Sequence, residues 1–299
     1  MRKLLAGWLA VVVAGTASAQ QQDFSKVELA VVPVARNIYM IAGGAGGNIG
    51  MCVGDDGVVL IDDMFAPLAD KIVAAVKTVT DKPIKILLNT HFHGDHTGAN
   101  ENFAKLGVTL VAHDNTYTRL STPQTGAFSG KTSPPQPEGM WPHVTFADAM
   151  TVHMCGYTVK ATRVAPAHTD TDIAIHFVEA DVYHLGDTYF NEAYPFFDLS
   201  AGGSIDGMIA AMDTFIAKSS AATKIIPGHG KLSNKAEMTA YRDMMVTVRD
   251  RIQKAINDGK DLPAIAALKL TADLDAKWGR GFMNAEFVTR IVYESLKKK

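Results

Sequence analysis

Three histidines and an aspartate fall within six residues, His91-Phe92-His93-Gly94-Asp95-His96, directly after the apolar run Ile84 to Leu88. An ordinary core has no use for such a concentration, because each group would need its own partner once buried. Three further candidates stand alone downstream: His168 in Pro166-Ala167-His168-Thr169, Asp187 in Leu185-Gly186-Asp187-Thr188 and His229 in Gly228-His229-Gly230. Each follows an apolar strand-like run or a short turn after one. Loops at strand ends are where a layered α/β scaffold can bring ligands together rigidly. Imidazole nitrogen with carboxylate oxygen suits Zn(II), and Fe, Mn or Co could take the same donors. Seven such groups exceed the needs of one tetrahedral ion, so the expectation is two.

The surrounding pattern is a strand-helix alternation. Residues 36 to 62 read as two or three short strands around the turns Gly43-Gly44-Ala45-Gly46-Gly47 and Gly54-Asp55-Asp56-Gly57. The glycine turn has no following Lys-Ser/Thr, so it reads as a loop beside a site or an idle turn rather than a phosphate cradle. A helix from Pro67 to Val79, a strand at 84 to 88, a helix near 98 to 106 and a strand at 108 to 112 follow. The proline-rich stretch 121 to 143 is irregular. Strands then come near 144 to 154, 157 to 165, 173 to 178, 181 to 185 and 223 to 226, with a helix at about 205 to 218. From about 234 the chain is mostly helical. Two strand sets, each with helices, predict two mixed β-sheets face to face with helices outside, a four-layer αββα sandwich.

With its ligands in this order, the chain resembles the metallo-β-lactamase superfamily. The family's His-x-His-x-Asp-His run is present as His91, His93, Asp95 and His96. The resemblance implies that His91, His93 and His168 hold one ion and Asp95, His96 and His229 a second, with Asp187 bridging. Asp62, at the end of the run Val58 to Ile61, resembles the family's acid behind the ligands; a plain turn carboxylate is the alternative. Asp95 would also orient the attacking water or take its proton, and a hydroxide between the ions would attack a carbonyl carbon. Trp141, Tyr194 and Phe196 are pocket-wall candidates, with core packing as the alternative. Lys231, and less so Arg119, are candidate cations for a substrate carboxylate, or else surface charges. His176 and His184 read as structural; His113, His143 and His153 are weak pocket candidates.

The first nineteen residues differ from the rest. Arg2 and Lys3, the apolar run Leu4 to Ala14 and Thr16-Ala17-Ser18-Ala19 have the order of a secretory signal peptide, with cleavage after Ala19. The expectation is an exported protein, periplasmic or secreted, with one domain over 20–299 and no stable membrane insertion afterwards. The chain has 29 basic and 31 acidic residues, and no basic stripe is interleaved with aromatics. Nucleic acid is therefore not an expected partner; a small molecule is, for a monomer or a homodimer. Cys52 and Cys155 read as two buried apolar side chains, although an oxidising compartment would permit a bond between them.

Substrate class is less constrained. Asp187 as bridge, within Leu185-Gly186-Asp187-Thr188-Tyr189-Phe190, resembles the thioesterase and lactonase form of the family. The export signal and the segment from Pro166 to Phe197 resemble exported lactamase-like members. From sequence, β-lactam or related cyclic amide hydrolysis is placed first, and glyoxalase-II-type thioester or lactone hydrolysis second. An exported metal-binding accessory protein is the non-enzymatic alternative.

Overall fold

The structure, a computed structural model, describes residues 23–43 and 46–297; the expected leader, Gly44 and Ala45 lie outside the described residues. A seven-stranded sheet is built from β1 (Ala30–Ala35), β2 (Ile38–Ala42), β3 (Ile49–Gly54), β4 (Gly57–Ile61), β5 (Ile84–Leu88), β6 (Thr109–His113) and β9 (Val144–Phe146). Its first four strands are antiparallel, and β4, β5, β6 and β9 run parallel. A two-stranded hairpin, β7 (Gln124–Thr125) and β8 (Thr132–Ser133), interrupts the irregular stretch before β9. The second sheet comprises β10 (Ala149–Met154), β11 (Tyr157–Arg163), β12 (Ile173–Phe177), β13 (Val182–His184), β14 (Lys224–Ile226) and β15 (Ser233–Asn234). It is antiparallel except for the parallel pair β13 and β14.

Side-chain alternation explains how these sheets stack. Val59 and Ile61 of β4, and Leu88 of β5, face the second sheet, where they meet Ile173, Ile175 and Phe177 of β12. Their neighbours Val58, Leu60 and Leu87 point the other way, onto Ile72 and Val76 of α1 (Ala69–Lys77) and Phe103 of α3 (Asn100–Lys105). On the far side, Ala174, Tyr183 and Ile225 face α5 (Ile205–Lys218), α6 (Lys235–Asn257) and α9 (Ala285–Lys297). Between α1 and α3 lies the single turn α2 (Gly94–Thr97), and α4 (Asp114–Ser121) follows β6; α7 (Leu262–Ala267) and α8 (Asp275–Trp278) join α6 to α9. A strand period of two thus gives each sheet two apolar faces. Three apolar interfaces separate four layers, and the αββα sandwich expected from sequence is the architecture found.

Two details differ from the sequence expectation. β1 lies outside the expected strands, since Pro33 breaks the strand signal; the proline is tolerated because β1 is the sheet's edge and carries a register shift there. The stretch 144 to 154 is two strands in different sheets, with the crossing at Ala147 and Asp148. Cys52 and Cys155 are free and buried between the sheets. A hydrogen bond with the Cys155 thiol, then burial, pushes the Cys52 thiol above its ordinary range. Among the described residues no helix is long and apolar enough to cross a membrane.

Phe177, fully buried at the centre of the inter-sheet layer, gives a direct test of this packing. Replacing it with Ala should cost about 3–5 kcal/mol in denaturant unfolding. A loss under about 1 kcal/mol would mean that the sheets do not pack through this layer.

Candidate metal centre

Every candidate ligand leaves the sheets at one edge. β5 runs into Asn89, Thr90 and His91, and α2 begins immediately after His93, its N-cap. His96 N donates to His93 O at 3.0 Å, so the turn of α2 lifts Asp95 and His96 beside His91. His168 lies in the loop between β11 and β12, Asp187 in a 3-10 turn after β13, and His229 just after β14. The mouth at the carboxyl ends of β4, β5, β13 and β14 is where open α/β sheets place their ligands.

Two groups of donors result. His91, His93 and His168 form one; Asp95, His96, Asp187 and His229 form the other, with ligand atoms within 4.8 Å of one another in each. In the first group the three imidazole rings lie 4.6 to 4.9 Å apart, every pair at 88°. His93 Nδ1 and His168 Nε2 are 2.9 Å apart. In the second, His229 Nε2 lies 3.3 Å from Asp95 Oδ2, and His96 Nε2 lies 3.6 Å from the same oxygen. Asp187 joins the two. Its Oδ1 faces His96 Nε2 at 3.1 Å and His229 Nε2 at 3.4 Å, while Oδ2 faces His168 Nε2 at 3.6 Å and His91 Nε2 at 3.9 Å.

The remaining ring nitrogens are held from behind. Asp62, fully buried, accepts from Thr90 N and Thr90 Oγ1 and meets His96 Nδ1, each at 2.7 Å. Thr90 Oγ1 also lies 3.0 Å from His91 Nδ1. His168 Nδ1 donates to Phe196 O at 2.9 Å, and His93 Nε2 lies 3.3 Å from Asp198 Oδ2. Asp172 accepts from the backbone N–H groups of His168 and Thr169, fixing that loop. This is the arrangement that sets tautomer and direction in metal-ligating histidines. Glycine matters at two places: a Cβ on Gly47 would overlap the His96 ring, and one on Gly228 the Asp187 carboxylate. Gly46 and Gly47, at the end of the glycine turn, are therefore packed beside the site.

The donor set fits divalent metal ions on its own evidence. His91 Nε2, His96 Nε2 and Asp187 Oδ1 are buried and have no hydrogen-bond partner, a costly state for groups aimed at one another. Burial, reinforced by neighbouring imidazoles, pushes His91 well below its ordinary range; burial takes His168 to about 4. Both are thus neutral, the state a ligand requires. Burial opposes charge on His96 and His229 as well, but Asp187 and the other carboxylates outweigh it, raising His96 well above its ordinary value and His229 to about 9. Burial likewise works against the Asp95 carboxylate, yet His96 and His229 bring it to about 2.

The other candidates divide. Phe196 is half-buried with its ring 6.0 Å from His93 and 5.7 Å from His168, so it is a wall of the site. Tyr194 is not: it is 0% exposed, and its hydroxyl donates to Asp275 Oδ1 at 2.7 Å, tying α8 to the core. The Trp141 ring meets Tyr117 of α4, and its Nε1 and backbone N–H donate to Gln136 O and Glu138 O within the irregular stretch. The Lys231 side chain is 86% exposed and 3.9 Å from Glu192. Arg119 is held by both oxygens of Asp170 at 2.6 and 2.7 Å. His184 is structural, linking Asn48 O to Gly186 N, and His113 caps α4. Asp198 escaped the sequence reading because Asp198-Leu-Ser is an ordinary cap, which it also is; Asp172 looks there like any polar loop residue.

A family model for the metallo-beta-lactamase superfamily matches residues 42–229, which contain all seven candidate ligands. The chain belongs to the metallo-beta-lactamase superfamily. Among curated proteins it is similar to a hydroxyacylglutathione hydrolase from Polaromonas sp. (strain JS666 / ATCC BAA-500), 27% identical over 180 residues. That match covers 59% of this chain and 60% of the relative's length. Among solved structures, a metallo-beta-lactamase from Pontibacter korlensis superposes with a TM-score of 0.60 at 17% identity, over 73% of this chain and 99% of that one. The stereoselective inverting sec-alkylsulfatase Pisa1 from Pseudomonas sp. gives 0.67 at 19% identity, over 89% of this chain and 50% of that one. These structural likenesses bear on the metallo-beta-lactamase fold alone.

The raised His96 and His229 set a sign for metal binding. At pH 7 both hold protons that ligation must displace, so zinc affinity should rise from pH 6 to 9, with about two protons released per chain at pH 7. Calorimetric titrations in buffers of different ionisation heat measure this; a pH-independent affinity without proton release would contradict the assignment of these two rings as ligands.

Proposed function

We propose that the chain is a dinuclear, zinc-dependent hydrolase that splits the acyl bond of a small carboxylic acid derivative. The observation that carries this reading is Asp187, whose two oxygens divide between the two donor groups beside unpartnered ring nitrogens. When bound, the metal ions would supply a Lewis acid for the substrate oxygen and acidify a bound water. The chain's own contribution is positional. Asp95, at the rim with its side chain 28% exposed, reaches into the cleft and can orient the attacking water or accept its proton. Asp62, Thr90, Asp198 and Phe196 O keep four ring nitrogens turned away from the cleft, leaving the opposite nitrogens for the metal.

Within this reading we place ester, thioester and lactone substrates before β-lactams. The carboxylate of a β-lactam calls for a cation in the cleft. Arg119 is engaged by Asp170, and Lys231 is directed outward beside Glu192. Similarity to a hydroxyacylglutathione hydrolase supports the same order. The leader-like first nineteen residues support export to the periplasm or medium, where β-lactams act, and keep lactam hydrolysis as the second reading.

Initial rates of the zinc-loaded protein on a thioester, a lactone and a chromogenic cephalosporin, with chelator controls, test both. Chelator-sensitive turnover of the thioester or lactone is expected, and Asp95→Asn should lower kcat by about 10²- to 10⁴-fold. Faster cephalosporin turnover would reverse the order of the readings. Near-normal turnover in Asp95→Asn, or rates indifferent to chelator, would overturn the mechanism.

A further inference from the structure

Phe282 is 65% exposed, one of the most exposed large apolar residues among those described. Single exposed apolar side chains are common and usually mean nothing; position gives this one significance. Its ring centroid lies 6.0 Å from that of the candidate ligand His229, 6.0 Å from Phe190 and 6.4 Å from Phe196. Phe190 stacks parallel on His229 at 5.4 Å, and Phe196 sits against His93 and His168. Phe287 of α9 extends the same apolar side, 6.5 Å from Phe196 and 5.4 Å from Phe128 in the β7–β8 hairpin.

The backbone around Phe282 is fixed on both sides. A Cβ on Gly281 would come within 3.0 Å of Ala193 Cβ, and one on Gly279 within 3.3 Å of Tyr194 Cε2. Tyr194 N donates to Trp278 O at 2.8 Å. Met283 is buried in the helical core, and Asn284 Oδ1 accepts from Phe287 N at 2.9 Å. The segment therefore presents one phenyl ring to the cleft from a part of the chain beyond the 42–229 family match.

We infer that Phe282 and Phe196 form an apolar shelf over the metal centre that selects substrates with an uncharged hydrocarbon or aromatic group next to the scissile bond. Phe282 is a specificity residue and takes no part in bond breaking. The inference rests on the hydrolase reading for its substrates, but binding can test it without turnover.

Two measurements on the zinc-loaded protein separate the cases. One compares kcat/KM for p-nitrophenyl acetate and octanoate; the other compares, by calorimetry, the binding of acetohydroxamate and octanohydroxamate. Wild type should favour the octanoyl member in both. Phe282→Ala should lower the octanoyl values about tenfold, chiefly through KM, and move the acetyl values less than about twofold. Phe282→Leu should retain most of the preference. Chain-length preference in hydroxamate binding that depends on Phe282, with neither ester hydrolysed, would support the shelf and defeat ester hydrolysis. Ester turnover with a preference indifferent to Phe282, or with none, would overturn the shelf and leave the hydrolase reading standing; hydroxamate binding without preference and no ester turnover would overturn both.

Discussion

Asp187 places a carboxylate in the protein interior with imidazole nitrogens on both sides, and the surrounding structure is organised around compensating that burial. A buried charge is tolerated only when paired or bound to metal. Here His96 and His229 answer one oxygen, while His91 and His168 stand off the other at longer range. Protein groups alone leave His91 Nε2, His96 Nε2 and Asp187 Oδ1 buried without hydrogen bonds. Two divalent ions would satisfy the seven donors together, which is why the arrangement reads as a metal centre rather than an ion-pair network.

The sandwich makes this burial geometrically affordable. Parallel neighbours β4 and β5 in one sheet, and β13 and β14 in the other, end at the same edge, so four loops from two sheets meet there. Links across that edge hold the halves in register: Asn48 Nδ2 donates to Pro227 O and Gly230 O, and Asn48 N donates to Gly228 O. His184 Nε2 donates to Asn48 O from the second sheet. Asp62, in the left-handed region at φ 66°, turns the end of β4 so that its carboxylate sits behind Thr90 and His96. That strained conformation is held by three hydrogen bonds to the carboxylate and one from Asp62 N to Leu88 O, and it serves the site.

Sequence made the candidate donors that the fold brings together legible because their chemistry is local. His91, His93, Asp95 and His96 need only a strand end and one helical turn to converge. His168, Asp187 and His229 stood out as lone ligand types after apolar runs, and the four-layer order followed from strand alternation. What sequence did not carry was direction. Tyr194 and Phe196 are two residues apart on an irregular segment, with no period to say which faces the core; one is fully buried and the other lines the site. Trp141 belongs to the proline-rich stretch, where the same ambiguity holds. Phe282, which no motif marks, acquires its place from the packing of Gly281 and Met283. Such assignments depend on contacts between segments far apart in the chain, such as Tyr194 with Asp275 and Phe282 with Phe196, which no local pattern encodes.

The central claim is that two donor groups share Asp187. Zinc content of the purified, dialysed protein, measured by elemental analysis beside Asp187→Asn, tests it most directly. Two zinc ions per wild-type chain and a clear loss in the variant are the result this account predicts. One ion or none in the wild type, or two ions retained unchanged without the Asp187 carboxylate, would contradict it.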